Sequence, residues 1–235
     1  MNNEIVLKAN PKSVVSEDIR TIRTNLEFCL SEYDKKIVMV TSSLPAEGKS
    51  FISSNLSVAL AQNGNKVLLI DCDLRMGRIH KIFNLTNKVG LSNLIVKYNE
   101  VDEIEEYVKK TDIKNLFIIP RGTVPPNPSE LLSSKRFENI VGDFKQLFDY
   151  IILDCVPVNG LPDALVLSKI ADKTIIVTKY GSTNIDALED TKKALNNVDA
   201  SVAGVVVNRI PKSKTKYGSY YYGENDDWST YSYNL

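Results

Sequence analysis

A glycine, a lysine and a serine follow one another at positions 48–50, between an apolar run and a stretch of helical character. The apolar run covers residues 36–41, and the helix-like stretch covers residues 51–62. In a strand, loop and helix of this kind, backbone N–H groups and the helix N-terminus point at phosphate oxygens. The lysine adds positive charge at the β- and γ-phosphates, and the serine hydroxyl ligates Mg²⁺. The pattern therefore predicts a site for a nucleoside triphosphate and its metal.

The loop before the glycine departs from the usual phosphate-binding pattern, because Ser43 takes the place of the first glycine. A chance occurrence of the three residues in an ordinary loop is the alternative. The strand before the loop and the helix after it argue against that alternative. We expect the nucleotide to contact the loop and the start of the helix, at Ser43, Leu44, Pro45, Ala46, Glu47, Gly48, Lys49, Ser50 and Phe51.

Two further apolar runs end in carboxylates. Residues 67–70 lead to Asp71 and Asp73, and residues 150–153 lead to Asp154. In an open α/β sheet such strand ends lie at the ligand crevice. A nucleotide's Mg²⁺ needs hard oxygen ligands, and an acceptor hydroxyl needs a base within hydrogen-bonding reach. We therefore predict these aspartates and Lys49 as catalytic residues and the aspartates with Ser50 as metal ligands, although each aspartate is alternatively a helix cap or turn former.

The order of apolar runs along the chain predicts the fold class. Short apolar runs alternate with helix-like stretches, which implies a buried, mainly parallel sheet with helices on both faces, a doubly wound α/β fold. The runs cover residues 37–41, 67–70, 116–119, 150–153, 174–178 and 202–207. We expect one domain over residues 1–211, followed by a flexible tail at 212–235 in which the periodicity stops.

An amphipathic helix is predicted before the first strand, over residues 16–32, with Ser16 as its cap. Glu17, Arg20 and Arg23 follow an ExxRxxR spacing that places them near one face of this helix. From spacing alone, a solvated charged face is the simpler interpretation.

A second helix start is predicted at residues 124–130. Asn127 is expected as the N-cap, Pro128 as the first helical residue, and Glu130 as the partner that completes a capping box. This device by itself is structural.

The C-terminal segment concentrates aromatic hydroxyl groups. Six of the eleven tyrosines lie in it, among small and acidic residues that give them no buried face. Their phenols are therefore available to an active site, while a sticky interaction tail or a base-stacking platform is the alternative. The predicted phosphate acceptors are Tyr217, Tyr220, Tyr221, Tyr222, Tyr231 and Tyr233.

Composition excludes several classes of protein. The formal net charge is zero, which argues against a nucleic-acid partner. No apolar run approaches the ~18 residues that a membrane span needs, and the start of the chain lacks the features of a signal peptide, so we expect a cytoplasmic protein. The three cysteines, Cys29, Cys72 and Cys155, show no metal-ligand spacing and are expected to be reduced and buried. His80 is expected at the surface.

Taken together, residues 43–50, 68–75 and 151–154 resemble the Walker A, A′ and B motifs of bacterial tyrosine kinases. Residues 122–132 resemble that family's GxxPPNPxELL segment, and the terminal tyrosines resemble its tyrosine cluster. The resemblance extends over almost the whole chain. It is greatest to the stand-alone cytoplasmic kinases of capsular and exopolysaccharide operons in Gram-positive bacteria.

The resemblance implies specific roles. ATP and Mg²⁺ are the implied cofactors: Lys49 would hold the β- and γ-phosphates, and Ser50 would bind Mg²⁺. Asp71 resembles the base for the incoming tyrosine, with Asp73 and Asp154 at the metal. Asn208 and Arg209 resemble the adenine-contacting position, where an asparagine amide supplies hydrogen bonds.

The resemblance also implies partners. The ExxRxxR residues make subunit contacts in a ring in similar kinases, which reverses the interpretation from spacing alone. A transmembrane adaptor of the polysaccharide co-polymerase type would recruit the protein to the inner face of the cell membrane. Two rivals remain: a partitioning or septum-positioning ATPase, which usually carries a lysine where this loop has Leu44, and a nucleotide-binding scaffold that transfers nothing.

Overall fold

The computed structural model describes residues 4–34, 36–98 and 106–211. The strands of its central sheet are β1 (Lys36–Ser42), β2 (Val67–Asp71), β3 (Lys109–Lys110), β4 (Leu116–Ile119), β5 (Tyr150–Asp154), β6 (Lys173–Lys179) and β7 (Val202–Asn208). Their order in the sheet is β3-β4-β2-β5-β1-β6-β7. All strand pairs are parallel except β3 with β4. The doubly wound, mainly parallel α/β fold is therefore confirmed.

Helices connect the parallel strands. In chain order those of the described residues are α1 (Val6–Ala9), α2 (Val14–Cys29), α3 (Lys49–Gln62), α4 (Ile79–Ile82), α5 (Leu91–Lys97), α6 (Pro128–Leu132), α7 (Lys135–Leu147), α8 (Asp163–Ser168) and α9 (Ile185–Asn196). None of these helices is both long enough and apolar enough to cross a bilayer.

The sheet separates two hydrophobic cores, because side chains of a strand alternate between its faces. Met39 and Leu153 pack on one face with residues of α5, α7, α8 and α9. Val40 and Ile152 pack on the other with α1, α2 and α3. Helix α3 is buried all round over residues 52–61, because it lies between the sheet and α2. The helix that begins at Lys49 is thereby fixed against the strands that carry the aspartates.

The N-terminal helix begins earlier than predicted. It runs Val14–Cys29 rather than 16–32, and Ser13, not Ser16, is its N-cap. The Ser13 hydroxyl accepts a hydrogen bond from the Ser16 N–H at 3.1 Å, whereas the Ser16 hydroxyl donates to the Asn10 carbonyl at 2.7 Å. Two serines three residues apart offer the same cap, and only the path of residues 10–13 selects the first.

The start of α6 was predicted correctly in position but not in its hydrogen bonds. Asn127 is the N-cap and Pro128 the first helical residue, yet the Asn127 side chain makes no capping bond. Its amide donates instead to the Glu130 carboxylate at 2.7 Å. The predicted capping box is therefore wrong, because the side chains of Asn127 and Glu130 hydrogen-bond to each other rather than to the backbone.

Two predictions about burial need correction. Cys29 is exposed, while Cys72 and Cys155 are buried as predicted, and all three are free thiols. His80 is half-buried rather than simply at the surface, and its ring Nδ1 is buried without a partner among the described residues. Burial is also the chief reason that the pKa of each buried thiol is raised.

Candidate active site

The loop between β1 and α3 has the backbone shape of an anion cradle. Gly48 is the N-cap of α3 with φ of 101°, a left-handed conformation that favours glycine. A Cβ at this position would lie 2.0 Å from the Asn208 side-chain nitrogen. That nitrogen donates a hydrogen bond to the Glu47 carbonyl at 3.0 Å. The end of β7 therefore supports the loop and leaves no room for a side chain at Gly48.

The Glu47 carboxylate stabilises the loop between β1 and α3 through hydrogen bonds. It is buried, and it accepts hydrogen bonds from the Leu44 N–H at 2.8 Å and from the Thr183 hydroxyl. Thr183 lies in the turn before α9, so one side chain joins two neighbouring loops. Glu47 was predicted to contact the nucleotide, but both oxygens of its carboxylate already accept hydrogen bonds from the protein.

Asp154 connects β5 to the first turns of α3. One of its oxygens accepts a hydrogen bond from the Ser50 hydroxyl at 2.7 Å, and the other accepts from the Ser53 hydroxyl at 3.0 Å. Burial raises the pKa of Asp154 to about 6, although these hydrogen bonds and the charge of Lys49 oppose the rise. The structure thus brings together Lys49, Ser50 and Asp154. Ser53 was missed, but its position one turn after Ser50 was a usable signal.

Asp71 lies directly beside Asp154, because the two are register partners on the adjacent strands β2 and β5. One Asp71 oxygen accepts the Ile79 N–H at 3.0 Å. The other, Oδ1, is buried and has no partner among the described residues. Burial first, and then the charge of Asp154, raises the pKa of Asp71 well above its usual range. An unpaired buried carboxylate oxygen is suited to a cation or a transferred proton.

Asp73 behaves in part as the turn former that the sequence left open. Its Oδ1 accepts the N–H groups of Arg75 at 3.2 Å and Met76 at 2.8 Å. This oxygen closes the loop after β2. Asp73 therefore lies near Asp71 and Asp154, but one of its two carboxylate oxygens stabilises the turn.

The donor set fits Mg²⁺ in a nucleotide site. Within residues 4–34, 36–98 and 106–211, no three or more His, Cys, Asp or Glu side chains are grouped to hold a metal by themselves. Nucleotide-bound Mg²⁺ usually takes only one or two carboxylates and completes its shell with phosphate and water oxygens. Asp154 and the Ser50 hydroxyl supply this smaller set, which leaves Asp71 Oδ1 free to accept a proton.

The remaining predicted site residues are distributed as follows. Asn208 lies at the loop, with its side-chain amide oxygen accepting the Arg209 N–H at 2.8 Å, and Arg209 is exposed. On α2, Arg20 pairs with Glu17, and Arg23 lies 3.7 Å from the Glu27 carboxylate. The predicted acceptors Tyr217, Tyr220, Tyr221, Tyr222, Tyr231 and Tyr233 lie outside the described residues.

A charged network that the sequence did not reveal supports the loop after β2. The Arg75 guanidinium lies 3.2 Å from the buried Asp163 carboxylate at the start of α8, and 3.1 Å from the Ser129 hydroxyl in α6. The GxxPPNPxELL-like segment therefore has a positioning role, because it helps to hold the loop that follows Asp71 and Asp73.

We expect a Gly48→Ala substitution to weaken ATP binding roughly tenfold or more, since a left-handed conformation costs a non-glycine residue about 1–2 kcal/mol and the new methyl group displaces Asn208. Isothermal titration calorimetry with Mg·ATP measures the effect. Gly142→Ala is the matched control, because nothing lies within 4 Å of a Cβ at that exposed position in α7. Unchanged affinity in the Gly48 variant would show that the loop does not cradle the nucleotide.

Comparison with known proteins supports the geometry. The AAA domain family matches residues 35–204. The tyrosine-protein kinase YwqD of Bacillus subtilis (strain 168) is 38% identical over 229 residues, which span 97% of this chain and 94% of YwqD. The kinase domain of the Escherichia coli tyrosine kinase ETK superposes with a TM-score of 0.84 at 30% identity, over 93% of this chain and 84% of the other. The Mg-ADP complex of the septum site-determining protein MinD from Pyrococcus horikoshii OT3 gives 0.62 at 25% identity, over 77% and 72% of the chains.

Proposed function

We propose, because the chain belongs to the bacterial tyrosine kinases of the P-loop lineage, that it is an autokinase that transfers the ATP γ-phosphate to its own C-terminal tyrosines. The observation that carries this proposal is the unpaired, buried oxygen of Asp71 beside Asp154. A scaffold that only binds ATP has no need for a free base at this place. Tyrosyl transfer requires one.

The residues of the loop and strand ends divide the work of transfer. The helix N-terminus at Gly48 and the Lys49 ammonium bind the phosphates, and Asn208 and Arg209 lie where the base would be contacted. Ser50 and Asp154, with Asp73 nearby, would hold Mg²⁺, which when bound supplies positive charge to the phosphate oxygens. Transfer between fixed groups depends mainly on positioning and electrostatics.

The chemical step is a displacement at phosphorus. The phenol oxygen of the acceptor forms a bond to the γ-phosphorus, and the bond from that phosphorus to the β-bridging oxygen breaks, leaving ADP. The phenolic proton passes to Asp71 Oδ1. The high pKa of the buried Asp71 carboxyl favours acceptance of this proton.

Transfer in trans within a ring is the assembly that we propose. The tail begins after Pro211, beyond β7, which lies at the opposite edge of the sheet from β4 and is separated from β2 by β5, β1 and β6. The tail, residues 212–235, is long enough to reach its own site or that of a neighbour. The resemblance to ring-forming kinases favours the neighbour. Contacts through Glu17, Arg20 and Arg23 of α2 would place the copies.

The cellular setting follows from the family resemblance. We propose that a transmembrane adaptor of the polysaccharide co-polymerase type recruits the protein to the inner face of the membrane. In that place the kinase would regulate capsular or exopolysaccharide synthesis and export. A cytoplasmic fragment of the adaptor would complete or stabilise the nucleotide site.

Two other functions compete with this one. The likeness to MinD favours an ATPase switch that dimerises on ATP, but the loop here carries Leu44 where those proteins usually have a lysine. A scaffold that binds ATP without transfer has the same cradle. The free Asp71 oxygen favours the kinase over the scaffold.

The test is an assay of transfer with purified full-length protein, Mg²⁺ and ATP, with and without an adaptor fragment. Phosphotyrosine mapping by mass spectrometry should find label on the tail tyrosines, and none when Lys49 is replaced by methionine. A full chain whose tail tyrosines are replaced by phenylalanine should label an added Lys49→Met chain if transfer occurs between subunits. ATP binding without any labelled tyrosine would favour the scaffold.

Assembly through α2 gives a separate prediction. We expect Arg20→Ala with Arg23→Ala to convert the oligomer to smaller species and to lower trans-phosphorylation by about tenfold or more, because arginines at interfaces are frequent hot spots. Size-exclusion chromatography with light scattering measures the first effect. Lys193→Ala on α9, with a side chain that is 70% exposed, is the control. An unchanged oligomer in the double variant would remove α2 from the interface.

A further inference from the structure

Arg121 lies on the acceptor side of the aspartate pair. It follows β4 by two residues, and β4 is the neighbour of β2 on the side away from β5 and β1. The loop that cradles phosphates follows β1. An acceptor must therefore approach Asp71 from the side where Arg121 stands.

Arg121 makes no direct ion pair within the described part of the chain, and its charge acts on Asp71, where it opposes the rise in the pKa of that carboxyl. Its Nη1 donates to the Arg75 carbonyl at 2.7 Å, and its Nε is buried without a partner. The neighbouring guanidinium of Arg75, by contrast, pairs with Asp163 at 3.2 Å. A buried guanidinium N–H without an acceptor carries an energetic cost that an anionic ligand would remove.

Two exposed apolar side chains accompany this cation. Met76 is 83% exposed in the loop after β2, and Val124 is 60% exposed in the loop after β4. The Arg121 hydrogen bond to the Arg75 carbonyl connects the same two loops. A thioether and a branched aliphatic group provide good contacts for an aromatic ring. Met76, Arg121 and Val124, which lie on these two joined loops, are together called the acceptor platform below.

We propose that the acceptor platform binds the segment around the acceptor tyrosine and selects tyrosines that carry carboxylates on their C-terminal side. Within the tail, Glu224, Asp226 and Asp227 follow Tyr222, whereas Tyr217 follows Lys216. The carboxylates pair with Arg121 while the ring contacts the apolar members. Tyr221 and Tyr222 are then the preferred acceptors. This inference rests on the proposed autokinase function and names its substrate class.

The charges of Asp71 and Asp73 determine how many residues must separate the acceptor tyrosine from the carboxylate that is selected. Asp71 and Asp73 would repel a carboxylate next to the phenol, but two residues along an extended chain span about 7 Å. A carboxylate at that distance from the phenol lies beyond the aspartates. This geometry fits Glu224, which is two residues after Tyr222.

The experiment uses two full-length chains. The enzyme carries phenylalanine in place of the six tail tyrosines, and the acceptor carries Lys49→Met. The initial rate of phosphorylation at Tyr222 is followed by mass spectrometry. Neutralising the acceptor's acidic residues, with Glu224→Gln, Asp226→Asn and Asp227→Asn, is expected to lower kcat/KM about tenfold, as for the loss of a charge-assisted hydrogen bond.

The enzyme variant Arg121→Gln should cause a similar loss with the acidic acceptor and little loss with the neutral one. When both changes are combined, the loss in kcat/KM should therefore be smaller than the product of the two single losses, which is the signature of a direct interaction. Arg121→Lys should retain most of the rate, and raised salt should weaken the preference. Calorimetry should show unchanged ATP affinity in each enzyme variant.

Other outcomes would overturn the inference. Equal rates on acidic and neutral acceptors would do so even if the Arg121 variants failed to fold, because the acceptor changes leave the enzyme intact. Independent, multiplying losses would mean that Arg121 only supports the loop of Arg75. Failure of the proposed function is a different result, since then the unmodified pair would show no transfer at all.

Discussion

Replacing Asp71 by asparagine is expected to lower tyrosine phosphorylation by about 10²–10⁴-fold, the usual contribution of a general base. ATP should remain bound, because the loop and Lys49 are untouched. The substituted side chain keeps the shape of the aspartate and can still accept the Ile79 N–H. It cannot accept the phenolic proton. Single-turnover transfer and ATP calorimetry on the same preparation measure the two quantities.

Asp73→Asn is the matched comparison for this prediction. Its Oδ1 accepts two backbone N–H groups, which an asparagine oxygen also does, so a smaller loss is expected. If the Asp71 variant transferred phosphate at nearly the wild-type rate, Asp71 would not be the base. If the Asp73 variant lost more activity than the Asp71 variant, the two roles would have to be exchanged.

Replacing Asp154 by asparagine is expected to abolish transfer and, at the same time, to stabilise the metal-free protein. The carboxylate is costly to ionise because it is buried, and the charge of Asp73 adds to that cost, so its pKa rises from 3.8 to about 6. The neutral amide avoids that cost. The charge of Asp154 thus serves function, although it lowers the stability of the metal-free protein.

The sign of the pH effect follows from the raised pKa. The contribution of Asp154 to stability is fully present below its unfolded-state pKa and is lost as the pH rises through about 6. By pH 8 the loss for this group amounts to about 3 kcal/mol. In urea unfolding with EDTA, the wild-type free energy of unfolding should fall from pH 4 to pH 8, an interval that spans the pKa of Asp154.

The Asp154→Asn variant should show a weaker fall and a higher free energy of unfolding at the alkaline end. A residual slope is expected, because the pKa of Asp71 is also raised by burial. Ser53→Ala serves as the control, since it removes a hydrogen bond to Asp154 but leaves the carboxylate in place. An asparagine variant less stable than wild type at high pH would contradict the prediction.

Local patterns in the sequence predicted the elements well where one run of residues determines one element. The runs at residues 67–70 and 116–119 became β2 and β4, and the helix predicted over residues 51–62 is α3, which begins two residues earlier at Lys49. Predictions failed where two local solutions were nearly equal in energy. Ser13 and Ser16 compete for one cap, and Asn127 satisfies Glu130 rather than the backbone. The two-residue β3 strand is too short to leave a periodic signal.

By itself, the sequence determined the fold class and the chemical character of the site, because strand runs, the phosphate loop and its lysine are properties of consecutive residues. Only the tertiary structure decided which of these residues meet. Strand order places Asp71 beside Asp154, and it brings Asn208 against Gly48. It also places Arg121, which follows β4, next to the strand that carries Asp71. Such contacts depend on how distant segments pack in the sheet, and no spacing within one segment encodes that arrangement.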